Sequence, residues 1–169
     1  AVLASRPTVI SAAAAKADLY RERKVVLTAL PENSVLNVAR VRSAWEWCGA
    51  QIFELTPAEH DQVFAAVSHL PHLLSFALVH DLAVRDNSEL FFTFAASGFR
   101  DFTRIAASHP EMWRDIALAN REALLIELKR YEDQIDEMRA ALEANDGQRL
   151  EEIFDTARTA RRAWQESQK

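Results

Sequence analysis

Four of the five histidines in this chain lie in one stretch, HDQVFAAVSHLPHLLSFALVHD, which runs from His60 to Asp81. An imidazole ring can bind a metal ion, transfer a proton or, when protonated, hold an anion. His69 and His72 are three residues apart, so a helix would place them on nearly the same face. His60 lies nine residues before His69, roughly half a rotation away on a straight helix, and His80 is interpreted as structural. The pair His69 and His72 is therefore the first candidate for chemistry.

The segment SHLPH, residues 68–72, allows three interpretations. A metal site needs a third and a fourth ligand, and the spacing is HxxH rather than HExxH, so no metal is predicted. In a structural interpretation the backbone or neighbouring side chains satisfy both rings. In the third, the rings bind an anion beside Pro71, which has no N–H and clashes with the preceding turn. Pro71 would then bend the helix or line a cavity whose wall carries two polar rings.

A second candidate is GFRDFTR, residues 98–104, where charged and aromatic residues alternate. Asp101 and Arg104 are three residues apart and would face each other on a helix. Such a pair can be a surface ion pair that contributes little to stability. Alternatively, the aspartate orders the arginine so that it can bind a substrate carboxylate. Trp113 is predicted to lie in the core or at an interface. No spacing supports a Ser-His-Asp or Cys-His catalytic arrangement.

Composition limits the class of protein. The chain has 169 residues, of which 49 % are hydrophobic, enough for one domain or one domain plus a fragment. Its net charge of -5 argues against a nucleic-acid partner, because binding to phosphates needs a basic excess. No uninterrupted apolar run reaches the roughly 18 to 20 residues of a membrane span, so no membrane partner is expected. A single cysteine excludes an internal disulfide and fits a cytoplasmic setting.

The first part of the chain is predicted to form a strand-helix-strand unit. Residues 24–30 and 51–55 are the strands of a parallel sheet, and residues 34–49 form the helix between them. Ser34 is the expected N-cap and Gly49 the expected C-terminal cap of that helix. The unit has the size of one βαβ crossover and is too small to stand alone, so it is interpreted as the tail of a larger α/β domain.

From Thr56 onward the pattern is helical. Thr56 as N-cap, Pro57 at the first helical position and Glu59 predict a capping box. An apolar stripe with spacings of three and four follows and is expected to be buried: Val63, Val67, Leu70, Leu74, Leu78 and Leu82. A second helix is predicted to start at SHPE with Ser108 as N-cap, and an antiparallel helical hairpin turns at residues 144–147. The expected fold class is therefore mainly α, preceded by a short α/β remnant.

The segments AEHDQVFAAVSHLPHLLSFALV, SGFRDFTRIAASHPEMWRDI and ANREALL resemble the C-terminal half of the prephenate dehydrogenase family, including its cyclohexadienyl and arogenate-using members. ADLYRERKVVLT resembles the end of that family's N-terminal domain. The resemblance covers about residues 15–165. It implies that residues 1–55 are the C-terminal remnant of a Rossmann-like nucleotide-binding domain. It also implies that residues 56–169 are an all-α substrate-binding and dimerisation domain, with helices of two subunits interlocked.

The resemblance also implies a reaction. Members of this family oxidise prephenate with NAD or NADP and lose the ring carboxylate as carbon dioxide, giving 4-hydroxyphenylpyruvate on the route to tyrosine. Arogenate-using members give tyrosine directly, and tyrosine is a possible inhibitor. Homodimerisation through the helical domain is implied as well. The expected partners are therefore a second copy of the chain and prephenate or arogenate.

The same resemblance assigns substrate-binding roles to particular residues. These are Arg104, His72, His69, Asp101, Trp113 and His60. Arg104 corresponds to the arginine that clamps a substrate carboxylate, and Asp101 to a residue that orders it. His72 and His69 correspond to substrate-pocket histidines, and Trp113 to a residue near the substrate side chain. His60, with Asp61 beside it, corresponds to a pair near the domain junction.

The sequence departs from the family pattern at its start. With three glycines in the whole chain, it has no G-x-G-x-x-G fingerprint, and SRPTVISAA lacks the histidine of the family's HPxAG-like segment. We therefore expect no catalytic residue in this chain, poor dinucleotide binding and no turnover by the chain alone. The missing initiator methionine leads us to expect a truncation or a cloning scar at residues 1–14. The alternative function is a helical interaction module without catalysis.

Overall fold

A computed structural model describes residue 16 and residues 18–168. The predictions for residues 1–14 therefore lie outside the described residues. Two compact units follow one another along the chain, with the division between His72 and Leu73. Most described residues are helical, so the predicted mainly α fold class is confirmed.

The N-terminal unit contains the predicted βαβ arrangement. Its elements are β1 (Lys24–Leu27), α1 (Val35–Trp47) and β2 (Gln51–Glu54). The strands are parallel, with Lys24 opposite Gln51 and Leu27 opposite Glu54, as predicted. Both are shorter than the predicted ranges. The chain leaves β1 for a turn in which the Leu30 N–H donates to Asn33 Oδ1 at 2.9 Å.

The ends of α1 are partly as predicted. Gly49 follows the helix at φ +80°, a conformation that glycine adopts without strain. A Cβ atom there would also make a tight contact, at 3.3 Å from Arg21 Cα. Ser34 is the N-cap residue, but its side chain makes no capping hydrogen bond. The helix buries none of its residues, and its apolar side chains Val35 and Val41 are exposed.

The remaining elements are helical. They are α2 (Pro57–Phe64), a π turn (Ala65–His69), α3 (Leu70–Ala83), α4 (Ser88–Thr93), α5 (Ser97–Thr103), a 3₁₀ turn (Arg104–Ala107), α6 (Pro110–Ala119), α7 (Arg121–Glu143) and α8 (Gly147–Glu166). The capping box at the start of α2 is confirmed. Thr56 Oγ1 accepts from the Glu59 N–H at 3.2 Å, and Glu59 Oε2 accepts from the Thr56 N–H at 2.8 Å. Local residue chemistry therefore sets where this helix begins.

The helices of the C-terminal unit largely match expectation. The N-cap of α6 is His109, one residue later than the predicted Ser108, because Pro110 takes the first helical position. The predicted α7–α8 hairpin is confirmed, and it turns at Asn145 with φ +52°. Asp146 caps α8 by accepting from the Arg149 N–H at 2.9 Å.

One continuous helical segment, Pro57–Ala83, is unusually apolar. Its 27 residues are long and apolar enough to cross a membrane, so the expectation that no segment reaches this length is wrong. That expectation counted uninterrupted apolar residues, whereas the helix continues through its histidines and Pro71. Within this chain the predicted burial of its stripe holds only at Leu70, since 17 % of the most apolar window is buried and Val67 is 68 % exposed. Length and composition of this kind also occur in core helices of soluble proteins.

Candidate functional site

A hydrogen bond defines the tautomer of His72, which lies in the first turn of α3. Its Nδ1 atom lies 2.8 Å from the carbonyl oxygen of Ser68. A carbonyl oxygen can only accept, so Nδ1 carries the proton and donates. In the neutral ring, Nε2 is then an acceptor. His72 is therefore arranged to take a hydrogen bond from a hydroxyl group.

His60, in α2, is arranged in the same way. Its Nδ1 atom lies 3.0 Å from Asp61 Oδ1, and its ring packs on Phe64 with a centroid distance of 4.4 Å. Because the carboxylate accepts, the neutral ring again presents Nε2 as an acceptor. That atom is buried and has no hydrogen-bond partner among the described residues. Buried acceptors are normally matched by a donor, so His60 marks a place where a ligand donor fits.

His69 closes the π turn and is electrostatically coupled to its neighbours. Burial lowers the pKa of His69 below its usual value, and the charges of His60 and His72 lower it further, while Asp61 opposes them. These surroundings therefore favour the neutral form of the His69 ring. No group of three or more His, Cys, Asp or Glu side chains in the described part of the chain is placed to hold a metal ion.

Pro71 is accommodated without ending the helix. Directly before it, the Leu70 N–H donates to the Ala65 carbonyl, five residues back, which defines the π turn. Nothing in the apolar spacing indicates this turn. The signal available in the sequence was Pro71 itself, because proline excludes the α-helical hydrogen bond at its own position.

The other candidate residues lie in the C-terminal unit. Asp101 is in α5, Arg104 begins the 3₁₀ turn, and Trp113 is half-buried in α6. Asp101 and Arg104 are both exposed and form no ion pair with each other. Within residues 18–168, no carboxylate lies at ion-pair distance from Arg104. The role of Asp101 in ordering Arg104 stays a prediction.

Ser75 is a residue that the sequence pattern did not single out. Its side chain is fully buried, and Oγ donates to the Phe102 carbonyl at 3.3 Å. Thr103 Oγ1 donates to the Phe99 carbonyl at 2.7 Å. Two side-chain donors therefore hold carbonyl groups of α5, one in its first turn at Phe99 and one near its end at Phe102, two residues before Arg104. A serine inside an apolar run suggests a buried hydrogen bond, but its partner is 27 residues away.

A cleft of about 630 Å³ lies at the carboxyl ends of β1 and β2. Ligands of open α/β sheets bind at this edge, and a dinucleotide there needs donors for its pyrophosphate group. Arg42 in its wall is already paired with Glu54 and Glu46, and Glu59 adds a further carboxylate. No glycine is among the described lining residues. These residues do not fit the pyrophosphate group, which needs a glycine-rich turn at a helix N-terminus.

Comparison with known proteins identifies the chain. Residues 56–156 match the family described as prephenate dehydrogenase, dimerization domain. The prephenate dehydrogenase of Bacillus subtilis (strain 168) is 37 % identical over 150 residues, which are 88 % of this chain and 40 % of that protein.

Solved structures agree. Prephenate dehydrogenase from Aquifex aeolicus, in complex with hydroxyphenyl propionate and NAD+, has a TM-score of 0.81 and 34 % identity over 86 % of this chain and 51 % of that one. Synechocystis arogenate dehydrogenase has a TM-score of 0.77 and 30 % identity over 87 % of this chain and 54 % of that one.

The fold and these matches define the helical dimerisation part of a dehydrogenase. The chain belongs to the prephenate dehydrogenase family. It spans 40 % of the Bacillus protein and about half of the two solved chains. The resemblance inferred from SHLPH and GFRDFTR is therefore confirmed at the level of the family.

Proposed function

We propose that this chain is the substrate-binding and dimerisation part of a cytoplasmic NAD- or NADP-dependent dehydrogenase. The substrate is prephenate, converted to 4-hydroxyphenylpyruvate in tyrosine synthesis, with arogenate as the alternative substrate and tyrosine as a possible inhibitor. Residues 56–169 form the substrate-binding and dimerisation domain. Residues 1–55 are the end of a nucleotide-binding domain.

The observation that carries the proposal is the state of Arg104. Prephenate is a dianion, so its site needs a cation that is not already neutralised. Arg104 is exposed, has no carboxylate at ion-pair distance in the described part of the chain, and follows carbonyls held by Ser75 and Thr103. A guanidinium group on such a fixed turn can bind a carboxylate through two parallel hydrogen bonds. Asp101 would order it when the ligand is bound.

The histidines supply the complementary recognition. The ring of prephenate carries a hydroxyl group, which is a hydrogen-bond donor. His60 and His72 both present Nε2 as an acceptor, and neutral His69 adds no competing charge. Trp113 contributes an apolar surface for the substrate side chain. Charge recognition therefore belongs to Arg104, and hydroxyl recognition to the histidines.

The described residues do not form a binding site for the dinucleotide. The Aquifex aeolicus structure is a complex with NAD+. A bound dinucleotide would supply the oxidant for the ring carbon that bears the hydroxyl, and the ring carboxylate would be lost as carbon dioxide. The described residues offer no cradle for the pyrophosphate. We therefore assign the dinucleotide site and the proton acceptor to the part of the enzyme that the longer relatives have beyond the region of similarity, and expect no turnover by this chain alone.

Self-association accounts for the exposed apolar surface. Val67 and Leu78 lie on the Pro57–Ala83 helix and are exposed in the single chain. Leu142 on α7 and Trp164 on α8 are exposed as well. Exposed large apolar side chains of this kind are typical of surfaces that bind another protein. We assign it to a second copy of the chain, in keeping with the dimerization domain that matches residues 56–156.

The runner-up is a helical interaction module that keeps the fold without binding substrate. Isothermal calorimetry of the chain with 4-hydroxyphenylpyruvate and with tyrosine separates the two. Arg104→Ala should weaken binding roughly 10-fold or more, because a charge-assisted pair is lost. Arg100→Ala removes an equal charge four residues earlier, in α5, and should leave binding unchanged. Equal losses in both variants, or no binding by the unmodified chain, would contradict the proposal.

A further inference from the structure

The π turn between α2 and α3 changes which residues share a face of the helical segment. In an α-helix each residue advances by roughly 100°. Nine residues therefore separate His60 from His69 by roughly 180°, and twelve separate it from His72 by roughly 120°. On an uninterrupted helix, His60 would point away from the other two.

A π turn absorbs one additional residue, because its hydrogen bond spans five residues instead of four. The Leu70 N–H bonds to the Ala65 carbonyl in this way. His60 then stands roughly 80° from His69 and roughly 20° from His72 when the helical steps are recounted. The turn moves His60 from the opposite side of the segment to the side that carries the other two histidines.

Two observations support this geometry. The charge of His60 acts on His69, second only to burial among the causes of the lowered pKa of His69. Ala65 is fully buried and Leu70 is 8 % exposed, so both ends of the turn are fixed by packing rather than frayed. Pro71 explains why the turn forms, because its ring would clash with the Val67 carbonyl in a regular α-helix.

We propose that the π turn at Ala65–His69 is a positioning device, required by Pro71, that brings His60 into one cluster with His69 and His72. The cluster is then a single recognition surface, and its buried acceptor is His60 Nε2. The charged or titratable groups whose charges act on His69 are His60, Asp61 and His72. The use of this surface for a substrate hydroxyl rests on the proposed function, whereas the arrangement of the rings does not.

Replacement of Pro71 tests the device directly. Pro71→Ala removes the ring clash and restores the N–H at position 71, so a regular α-helix can form with every residue retained and His60 roughly 180° from His69. The readout is the titration of the His69 ring protons by NMR in the ligand-free chain. In the parent, His60→Phe should raise the pH at which His69 titrates. After Pro71→Ala, His60→Phe should leave the pH at which His69 titrates unchanged.

His72→Phe is the internal control, because Pro71→Ala leaves His69 and His72 three residues apart on a helix. It should raise the pH at which His69 titrates in both backgrounds. Deletion of Val67 from the Pro71→Ala variant shortens the spacing from His60 to His69 to eight residues, roughly 80° on an α-helix, and should restore the effect of His60→Phe. Equal effects of His60→Phe in the parent and in Pro71→Ala, or none in the parent, overturn the inference. The titration needs no ligand, so this result is independent of the calorimetric test of function.

Discussion

His72 donates from Nδ1 to the carbonyl oxygen of Ser68, one helical turn earlier, at 2.8 Å. His60 donates from Nδ1 to Asp61 in the same sense. Both neutral rings should therefore carry their proton on Nδ1, and long-range ¹H–¹⁵N correlation spectra of the chain above about pH 7.5 should report that tautomer. In Asp61→Asn the tautomer of His72 should be unchanged, whereas His60 loses the charged acceptor that holds its proton on Nδ1. A proton found on Nε2 of either ring would refute the hydroxyl-acceptor role.

The lowered pKa of His69 makes stability depend on pH. Because its folded pKa lies below the usual value of 6.5, the unfolded chain binds the proton more readily as pH falls. This contribution to stability is complete above pH 6.5 and is lost progressively below it. Urea unfolding at about pH 7.5 and about pH 5.5 should give a smaller difference in His69→Gln than in the parent. An unchanged difference would show that His69 is not desolvated.

The capping box at the start of α2 should matter for stability. Thr56→Ala removes the side-chain acceptor for the Glu59 N–H and should cost about 1 kcal/mol. Thr159→Ala, at an exposed position within α8, is the matched control and should cost less. The free energy of unfolding in urea measures both. Equal values would mean that the cap seen here contributes nothing.

Glu59 adds a pH dependence of its own. Hydrogen bonds from the Thr56 N–H and hydroxyl lower the pKa of this carboxyl below 4.5. Its stabilising effect is therefore present above pH 4.5 and is lost as the pH falls through the folded pKa. Glu59→Gln should lessen the acid sensitivity of unfolding relative to the parent. Thr56→Ala removes only the hydroxyl donor, so it should lessen the acid sensitivity in the same direction. If the two variants differ, the difference measures the hydrogen bond from the Thr56 N–H, which Thr56→Ala retains.

Ser75→Ala should loosen the end of α5. The substitution removes the buried hydroxyl from the Phe102 carbonyl and should cost about 1 kcal/mol. Amide hydrogen exchange in the Arg104–Ala107 turn should become faster, whereas exchange in α7 should not change. Ser43→Ala, on the exposed side of α1, is the control. Slow exchange retained in the turn would mean that Thr103 alone holds this junction.

Charge on the apolar helix should disrupt self-association. Val67→Asp places a carboxylate where the proposed second copy packs, so sedimentation velocity should show monomer at concentrations where the parent is dimeric. Val84→Asp, just beyond α3 and 65 % exposed, is the control. If both variants remain dimeric, the interface lies on other helices.

What the sequence could predict was what short-range chemistry decides. The capping box needs only Thr56, Pro57 and Glu59, and Gly49 marks a conformation that few other residues adopt. The π turn could not be predicted from apolar spacing, because a change in hydrogen-bond register leaves the spacing ambiguous. The Ser75–Phe102 bond joins residues far apart in the chain, and local patterns contain no such pairing. The apolar stripe predicted that the helix is covered, but not by which surface.

The candidate site also combines features that the sequence predicts with features that only the coordinates reveal. Residue types and spacing singled out His69, His72 and Arg104, and the resemblance added His60. The tautomers of His60 and His72 follow from partners at 3.0 Å and 2.8 Å that only coordinates reveal. The lack of an Asp101–Arg104 ion pair likewise depends on side-chain conformation, which an i,i+3 spacing permits without requiring.

The sheet of the N-terminal unit has two strands, and each has one side that pairs with no other strand among the residues described. Backbone N–H and C=O groups on those open edges can accept a further strand from any chain that presents one. Refolding of this chain at high concentration therefore competes with edge-to-edge aggregation. Dilute refolding, or supplying a strand that pairs with β1 or β2, should raise the soluble yield.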